Sequence, residues 1–289
     1  MNKKWLIAID LDGTLLEDGN GNNEWTNSDI PQENLKTLKE LSNIGHRVAI
    51  ITGRPWKDTK EIYEKLGIPA LVANYNGAYI HNPNDKKFMT AESAMNRVLI
   101  KEMIDTTSLK KCFTNIIIEY KESAHILKTD KNIMEQIHLS VDDNIIPYKK
   151  GDQIIEDPFS VIFKIETINK DVYDLLSELK REYGDTFLFR FWDDKAKKDF
   201  ILEVNQKAVT KETAMKYIAR YYNIDPSRTI AFGDGMNDID MLAGANIGVA
   251  MKNAKGIVKS YAKDVTDFCN NEAGVAKYLQ KFFKEDLKK

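Results

Sequence analysis

Two pairs of acidic residues stand out because each follows a short apolar run. Asp10 and Asp12 come directly after Trp5–Ile9, and Asp234 and Asp238 lie in Gly233-Asp234-Gly235-Met236-Asn237-Asp238, after Thr229–Phe232. Residues two apart at a strand end point to one face, so Asp10 and Asp12 can project into one crevice. Open α/β sheets bind ligands in the crevice beyond the carboxyl ends of their strands. Asp-Gly after a hydrophobic strand is also ordinary turn chemistry, and Asp12-Gly13 reads either way. The second pair is not a dinucleotide fingerprint, because Asp238 stands where the third glycine belongs and would repel a pyrophosphate. Asp238 also suits the first turn of a helix as a capping acid. If all four carboxylates converged to about 5 Å, each ionised pair would cost about 3 kcal/mol at an effective dielectric near 20. Six such pairs approach about 20 kcal/mol, above the roughly 5–15 kcal/mol that stabilises a typical protein. A cluster of this kind needs a cation or must give up charge, and hard oxygen donors without histidine select Mg²⁺ over zinc.

Thr52 ends a second apolar run, Val48–Ile51, and Lys211 opens a helical pattern behind Thr210. A hydroxyl and an ammonium are what a phosphoryl group requires, one hydrogen bond and one point charge. Neither is specific alone, since a solvated lysine is the default in a chain with 42 Lys and Arg residues. The order is informative: acids, Thr, Lys, acids, each beside a strand end or a helix start.

Four distant segments must meet for these residues to act together, and the flanking pattern supplies the scaffold. Trp5–Ile9, Val48–Ile51 and Ala70–Ala73 read as buried strands. Between the first two, Ser28, Asp29 and Pro31 give helix-start signals, Leu35, Leu38, Leu41 and Ile44 form an apolar stripe, and Gly45 fits the stop. Pro55 suits the first turn of another helix, which stops at Gly67, and Asn74-Tyr75-Asn76-Gly77 reads as a hairpin-like turn. Strands alternating with helices predict a parallel sheet, an α/β core of Rossmann-like type. The middle differs. Asn115–Tyr120, His125–Lys128, Ser160–Glu166, Thr186–Trp192 and Phe200–Val204 are strand-like, with two helical patterns among them, Lys131–Leu139 and Asn169–Tyr183. That mixture predicts an α+β segment with helices on one face of its sheet. Alternation then returns, with a helix near Thr210–Tyr222, a strand Thr229–Phe232, a helix after Asn237 and a strand Ile247–Ala250. The expected organisation is a core split into residues 1–82 and 200–289 around an inserted domain, 83–199.

At about 150 residues per domain, 289 residues also correspond to roughly two domains. The 42 basic and 44 acidic residues leave a net charge of −2, with no bulk drive toward nucleic acid or an anionic membrane, so neither is an expected partner. No run approaches the roughly 18–20 apolar residues that span a bilayer. Trp5–Ile9 is too short for a signal-peptide core. Cys112 and Cys269 are too few for a disulfide scaffold and read as core thiols in a reducing cytoplasm. His46, His81, His125 and His138 are scattered, with no pair at ligand spacing. A cytoplasmic protein, monomeric or weakly dimeric, is expected.

Asp10-Leu11-Asp12-Gly13-Thr14, Thr52-Gly53-Arg54, Lys211 and Gly233-Asp234-Gly235-Met236-Asn237-Asp238 together resemble the four motifs of the haloacid dehalogenase superfamily. Asn76-Gly77-Ala78, Gly248-Val249-Ala250-Met251 with Asn253-Ala254, and Gly274-Val275-Ala276 are similar to its Cof-type branch, which carries a large α/β cap after the third core strand. The resemblance covers the core from end to end, and within the inserted segment it is one of pattern only. Lys252 departs from it, standing where the branch usually has glycine, and reads as a solvent-facing side chain.

The resemblance implies hydrolysis of a phosphate ester through an aspartyl-phosphate. Asp10 would be the nucleophile, and Asp12 would protonate the leaving oxygen and then activate water, with Thr14 orienting Asp12. Thr52 and Lys211 would hold the phosphoryl oxygens. Mg²⁺ would be bound by the Asp10 carboxylate, the Asp12 backbone carbonyl and Asp234, with Asp238 and Asn237 supporting its shell. Gly53, Arg54, Asn76, Gly77, Asn237 and Asn253 are the expected substrate contacts, and the partner is a small-molecule phosphate ester, foremost a sugar phosphate. A phosphotransferase or phosphomutase shares the aspartyl-phosphate step. A phospho-acceptor signalling domain also gathers acids, Thr and Lys around Mg²⁺, but it is about half this length and keeps its acceptor Asp apart from the acid pair. A non-catalytic binding protein on this fold is disfavoured by the intact acids, Thr52 and Lys211. In the inserted segment, Arg190-Phe191-Trp192-Asp193-Asp194-Lys195 reads as an ordinary charged hairpin, with a sugar contact through Trp192 as the alternative.

Overall fold

The computed structural model describes residues 4–18, 29–137, 139, 144–149, 154–165, 172–194 and 199–288. Its strands, in chain order, are β1 (Leu6–Ile9), β2 (Arg47–Ile51), β3 (Leu71–Asn74), β4 (Tyr79–His81), β5 (Ala91–Glu92), β6 (Phe113–Glu119), β7 (Ala124–Ile126), β8 (Ile145–Pro147), β9 (Ser160–Ile165), β10 (Phe187–Asp194), β11 (Asp199–Gln206), β12 (Thr229–Gly233), β13 (Ile247–Ala250) and β14 (Asp264–Val265). The chain divides into two units, Met1–Ala91 with Thr210–Lys289, and Glu92–Val209.

The first unit is built on an eight-stranded sheet in the order β14-β13-β12-β1-β2-β3-β4-β5. β1 lies at its centre, parallel to β12 on one side and β2 on the other. Its four residues are fully buried, and alternation divides them between two cores. Ile7 and Ile9 pack with Leu38 and Leu41 of helix Gln32–Asn43, Ile62 and Leu66 of helix Trp56–Leu66, and Val275 and Leu279 of helix Gly274–Phe282. Leu6 and Ala8 pack with Ala214, Met215 and Ile218 of helix Lys211–Tyr221 and with Met241 and Leu242 of helix Ile239–Gly244. Burial on both faces is why these strands read as continuous apolar runs. The α/β fold class with an inserted α+β unit is the one expected. Gly45 and Gly67, read as helix stops, have φ of 101° and 62°.

The second unit carries a six-stranded sheet, β10-β11-β9-β6-β7-β8, antiparallel except for the β7–β8 pair. Here two expectations are corrected. Helix Arg97–Thr106 is present as well as the two predicted helices, capped by Asn96, whose Oδ1 accepts the Val98 and Leu99 N–H groups at 2.9 and 3.3 Å. Val98 and Ile100 near its start mask the helical signal, because β-branched residues are weak helix formers. Helices also cover both faces of this sheet rather than one. Ile116, Ile118 and Phe163 pack with Ile100, Met103 and Leu175, whereas Ile117 and Ile162 pack with Ile133 and Met134. Three consecutive isoleucines in β6 present apolar surface on both faces, and each face needs its own cover.

The division between the units falls later than residues 82 and 199. β5 extends the first sheet as far as Ala91, and β11 belongs to the second sheet, paired with β9 and β10. Cys112 and Cys269 are half-buried rather than core thiols, because each sits at an element end. Cys112 Sγ lies 3.1 Å from the Ser108 carbonyl, and Cys269 Sγ lies 2.9 Å from Glu272 Oε2. Ser28, His138 and Lys195 lie outside the described residues, as do the side chains of Trp192, Asp193 and Asp194. Among the described residues, no helix is long and apolar enough to cross a membrane.

Candidate active site

The site forms at the carboxyl edge of the first sheet, where β1, β2 and β12 end side by side. Asp10 follows β1 directly, and its N–H still donates to Phe232 O of β12, at 3.1 Å. The chain then turns tightly over Leu11–Leu15. Gly13 takes φ +65° there, and a Cβ at that position would collide with the Asp234 carboxylate. Glycine is therefore required for handedness and for closeness together. Lys211 is the first residue of its helix, which is closed by a reciprocal cap. Thr210 Oγ1 accepts the Thr213 N–H at 3.2 Å, and Thr213 Oγ1 accepts the Thr210 N–H at 3.0 Å. Gly77, with φ +107°, lets the Asn76 turn meet this helix, since a Cβ there would lie 2.8 Å from Ala214 Cβ. Gly77 is thus placed as a packing position under Lys211.

Lys211 is completely buried, and its Nζ donates to Asp10 Oδ1 at 2.6 Å and to Asp238 Oδ1 at 2.7 Å. Asp238 Oδ2 accepts the Asp234 and Gly235 N–H groups at 3.0 and 2.8 Å, so this acid ties the lysine to the loop after β12. Carboxylate oxygens of Asp10, Asp234 and Asp238 lie within 4.8 Å of one another. Asp12 stands apart from this group. Arg54, only 4% exposed, grips its carboxylate with a two-pronged fork, Nε to Oδ2 at 2.9 Å and Nη2 to Oδ1. Thr14 departs from its expected role: its Oγ1 donates to Asp234 Oδ1 at 3.1 Å, not to Asp12. The orienting of Asp12 falls to Arg54 because the positive φ at Gly13 turns the chain toward Asp234 between the two residues.

Thr52 is fully buried, and its Oγ1 accepts the Arg54 N–H at 3.1 Å. Asn237 Nδ2 donates to Asn76 Oδ1 at 3.0 Å, and Gly53 lies beside this pair. Asn253 stays exposed, its Nδ2 donating to Gly13 O at 2.8 Å. Lys252 has an exposed side chain, as its sequence reading holds. Asn74 has no place in that reading beyond its turn. It is completely buried, and its Nδ2 donates to Arg54 O at 2.9 Å and Thr59 Oγ1 at 3.0 Å while Oδ1 lies 3.1 Å from His81 Nε2. A polar residue closing an otherwise apolar strand is the signal that could have found it.

Burial foremost, and then the Asp238 charge, hold the Asp10 carboxyl well above the usual carboxylate range. The same two causes push Asp234 up to about 7. Burial disfavours the charge on Lys211, but Asp10 and Asp238 outweigh it and hold the ammonium above its ordinary range. Four carboxylates against Lys211 and Arg54 leave the site short of two positive charges when all groups are ionised.

Residues 7–279 match the family model of the haloacid dehalogenase-like hydrolases. The chain belongs to this family. A Metamycoplasma hominis protein described as a phosphatase is 33% identical over 277 residues, 96% of each chain. The 5-amino-6-(5-phospho-D-ribitylamino)uracil phosphatase YitU of Bacillus subtilis is 29% identical over 281 residues, 97% of this chain and 98% of the relative. Among solved structures, the haloalkanoate-superfamily phosphatase BT1666 from Bacteroides thetaiotaomicron has the same fold, with a TM-score of 0.75 at 22% identity over 97% of this chain and 95% of the other. With phosphatases alike over nearly its whole length, this haloacid dehalogenase-like hydrolase is a phosphoric monoester hydrolase.

Proposed function

We propose that this hydrolase removes phosphate from a small phosphorylated metabolite through an aspartyl-phosphate on Asp10, with Mg²⁺ as its cofactor. One observation carries the reading: buried Lys211 holds Asp10 Oδ1 at 2.6 Å at the end of the central strand, which fixes the carboxylate proposed as the nucleophile. The donor set fits a magnesium ion. It is made of hard carboxylate oxygens, and the missing two charges are those of one divalent cation. Asp10 and Asp234, with the Asp12 backbone carbonyl, would hold it. Asp238, with one oxygen on Lys211 and the other on two N–H groups, supports it. Bound there, the ion supplies the positive charge that lets a carboxylate approach a phosphate dianion.

In the first step the Asp10 carboxylate attacks phosphorus, the ester P–O bond breaks, and Asp12 gives the leaving oxygen its proton. In the second, Asp12 takes a proton from water, which attacks phosphorus and frees inorganic phosphate and Asp10. The Lys211 ammonium and the Thr52 hydroxyl bind the phosphoryl oxygens, and Arg54, which forks both Asp12 oxygens in the free site, turns to the substrate when Asp12 carries its proton. Asn237, Asn76, Gly53 and Arg54 surround the same strand ends and are the proposed substrate contacts.

A sugar phosphate is the foremost substrate class. Two relatives named for a phosphorylated ribitylamino-uracil, YitU and YcsE, support adding phosphorylated polyols to the panel. Free phosphate released from a panel member is the expected result, whereas an isomerised phosphosugar without phosphate release would favour a mutase. Asp12→Asn is expected to slow alkyl phosphates by about 10²–10⁴-fold and aryl phosphates with good leaving groups far less. Equal losses on both would remove the acid role.

The metal leaves a signature in stability. Asp234 holds its proton to about pH 7 in the folded, metal-free protein, against an ordinary value of 3.8. A raised folded pKa stabilises fully below the ordinary value, and that contribution is lost as pH rises through the folded one. Protons compete with the ion for Asp234 and for Asp10, so the gain in melting temperature from saturating Mg²⁺ over chelator is expected to grow as pH rises toward about 7. A gain independent of pH would place the ion elsewhere.

A further inference from the structure

Three asparagines from separate parts of the chain converge on the turn that carries Asp12 and Thr14. Asn253 Nδ2 donates to Gly13 O at 2.8 Å, Asn34 Nδ2 to Leu15 O at 3.3 Å, and Asn270 Nδ2 to Leu16 O at 3.0 Å. Two of these amides are double-ended. Asn253 Oδ1 accepts the Asn270 N–H at 3.2 Å, and Asn34 Oδ1 accepts the Ala276 N–H at 2.9 Å. Each thus bridges the turn to the segment that opens helix Gly274–Phe282. Asn34 and Asn270 are fully buried, and Asn253 is exposed.

We infer that Asn253, Asn34 and Asn270 form a carboxamide clamp that positions the Leu11–Leu15 turn for metal binding and turnover, with Asn253 acting as a positioning residue. The inference rests on the proposed Mg²⁺-dependent reaction. The chemistry explains the residue type. A carboxamide offers a donor and an acceptor without charge. An aspartate would face the turn carbonyls with repulsion and add to a cluster already rich in acids, and a lysine would lack the acceptor. The clamp matters because Gly13 and Thr14 follow Asp12 immediately. The Gly13 carbonyl is pinned on one side of Gly13 while Thr14 Oγ1 reaches Asp234 Oδ1 at 3.1 Å on the other. Releasing the carbonyl frees the torsions that set both the Asp12 backbone and the Thr14–Asp234 bond.

Asn253→Ala tests it, with Asn253→Asp as a same-shape variant that replaces the donor by an acceptor and Lys252→Ala as the neighbouring control. In metal-free protein, amide hydrogen exchange across residues 11–16 is expected to speed up in both Asn253 variants and stay at the parent rate in the control. Calorimetry on Asn253→Ala is expected to show Mg²⁺ affinity weakened by about 10–100-fold, the usual size of a lost outer-shell partner. With an aryl phosphate at saturating Mg²⁺, kcat should fall with KM within about twofold of the parent. Parent-like exchange together with parent-like Mg²⁺ affinity would overturn the clamp. A parent protein that itself binds no Mg²⁺ would instead overturn the proposed reaction, and exchange in the metal-free protein would still decide the clamp.

Discussion

Asp10→Asn is expected to abolish phosphatase turnover, by about 10⁴-fold or more, because the amide oxygen cannot act as the nucleophile and the residue belongs to a unit whose members fail together. The same substitution is expected to stabilise the metal-free protein at about pH 8. Burial and the Asp238 charge make the ionised Asp10 carboxylate unfavourable in the folded state. A neutral, isosteric amide removes that cost while still accepting a hydrogen bond from Lys211. Loss of activity with a gain in stability is the pattern of a functional residue held in place at a cost to the fold. Phosphate release from an aryl phosphate and thermal melts in chelator check both halves. Activity within about tenfold of the parent would sink the nucleophile assignment.

Lys211→Met is expected to have the second largest effect, on stability and on activity together. Methionine fills the volume of the stem, but it leaves the Asp10 and Asp238 carboxylates, 7% and 0% exposed, facing each other without their shared ammonium. Removing one partner of a buried ion pair typically costs about 3–5 kcal/mol. Here the loss is expected in full at about pH 8 and reduced at about pH 5, because Asp10, whose carboxyl burial and the Asp238 charge hold well above the usual carboxylate range, takes up a proton as pH falls. Urea melts of parent and variant at the two pH values measure the difference. An equal loss at both would mean that packing, not charge, is what Lys211 contributes. On the proposed role of this ammonium against the phosphoryl oxygens, turnover is expected to fall by about 10³-fold.

Much of the site was legible in the chain because each motif sits at a strand end, and strand ends are marked by the change from apolar run to Gly, Asp or Thr. Asp10, Thr52 and Asp234 were placed this way, and the structure sets all three at one edge of one sheet. Thr14 was not legible. Its partner depends on one backbone torsion at Gly13, and whether a short side chain reaches Asp12 or Asp234 is decided within a few ångströms. Arg54 illustrates the same limit from the other side. Its place after Thr52 marks it as a site residue, yet nothing in the order of residues says that the guanidinium closes on Asp12. Asn34 and Asn270 are not legible, because an asparagine that bonds buried carbonyls looks in sequence like any polar residue of a helix or turn, and Asn74 is legible only as part of its turn.

The sequence by itself determined the class of the fold, the split core and the set of chemical groups, since local alternation, glycine stops and residue types are properties of neighbours along the chain. Tertiary structure alone decided how the charges are shared. Six repelling carboxylate pairs are what bare acids at these positions would give. The folded site interposes Lys211 between Asp10 and Asp238 and lays Arg54 on Asp12, so part of the repulsion is met inside the protein. Electrostatic energy depends on distance and burial. Lys211 and Asp10, 201 residues apart in sequence, acquire their 2.6 Å separation only when the parallel sheet brings their segments together.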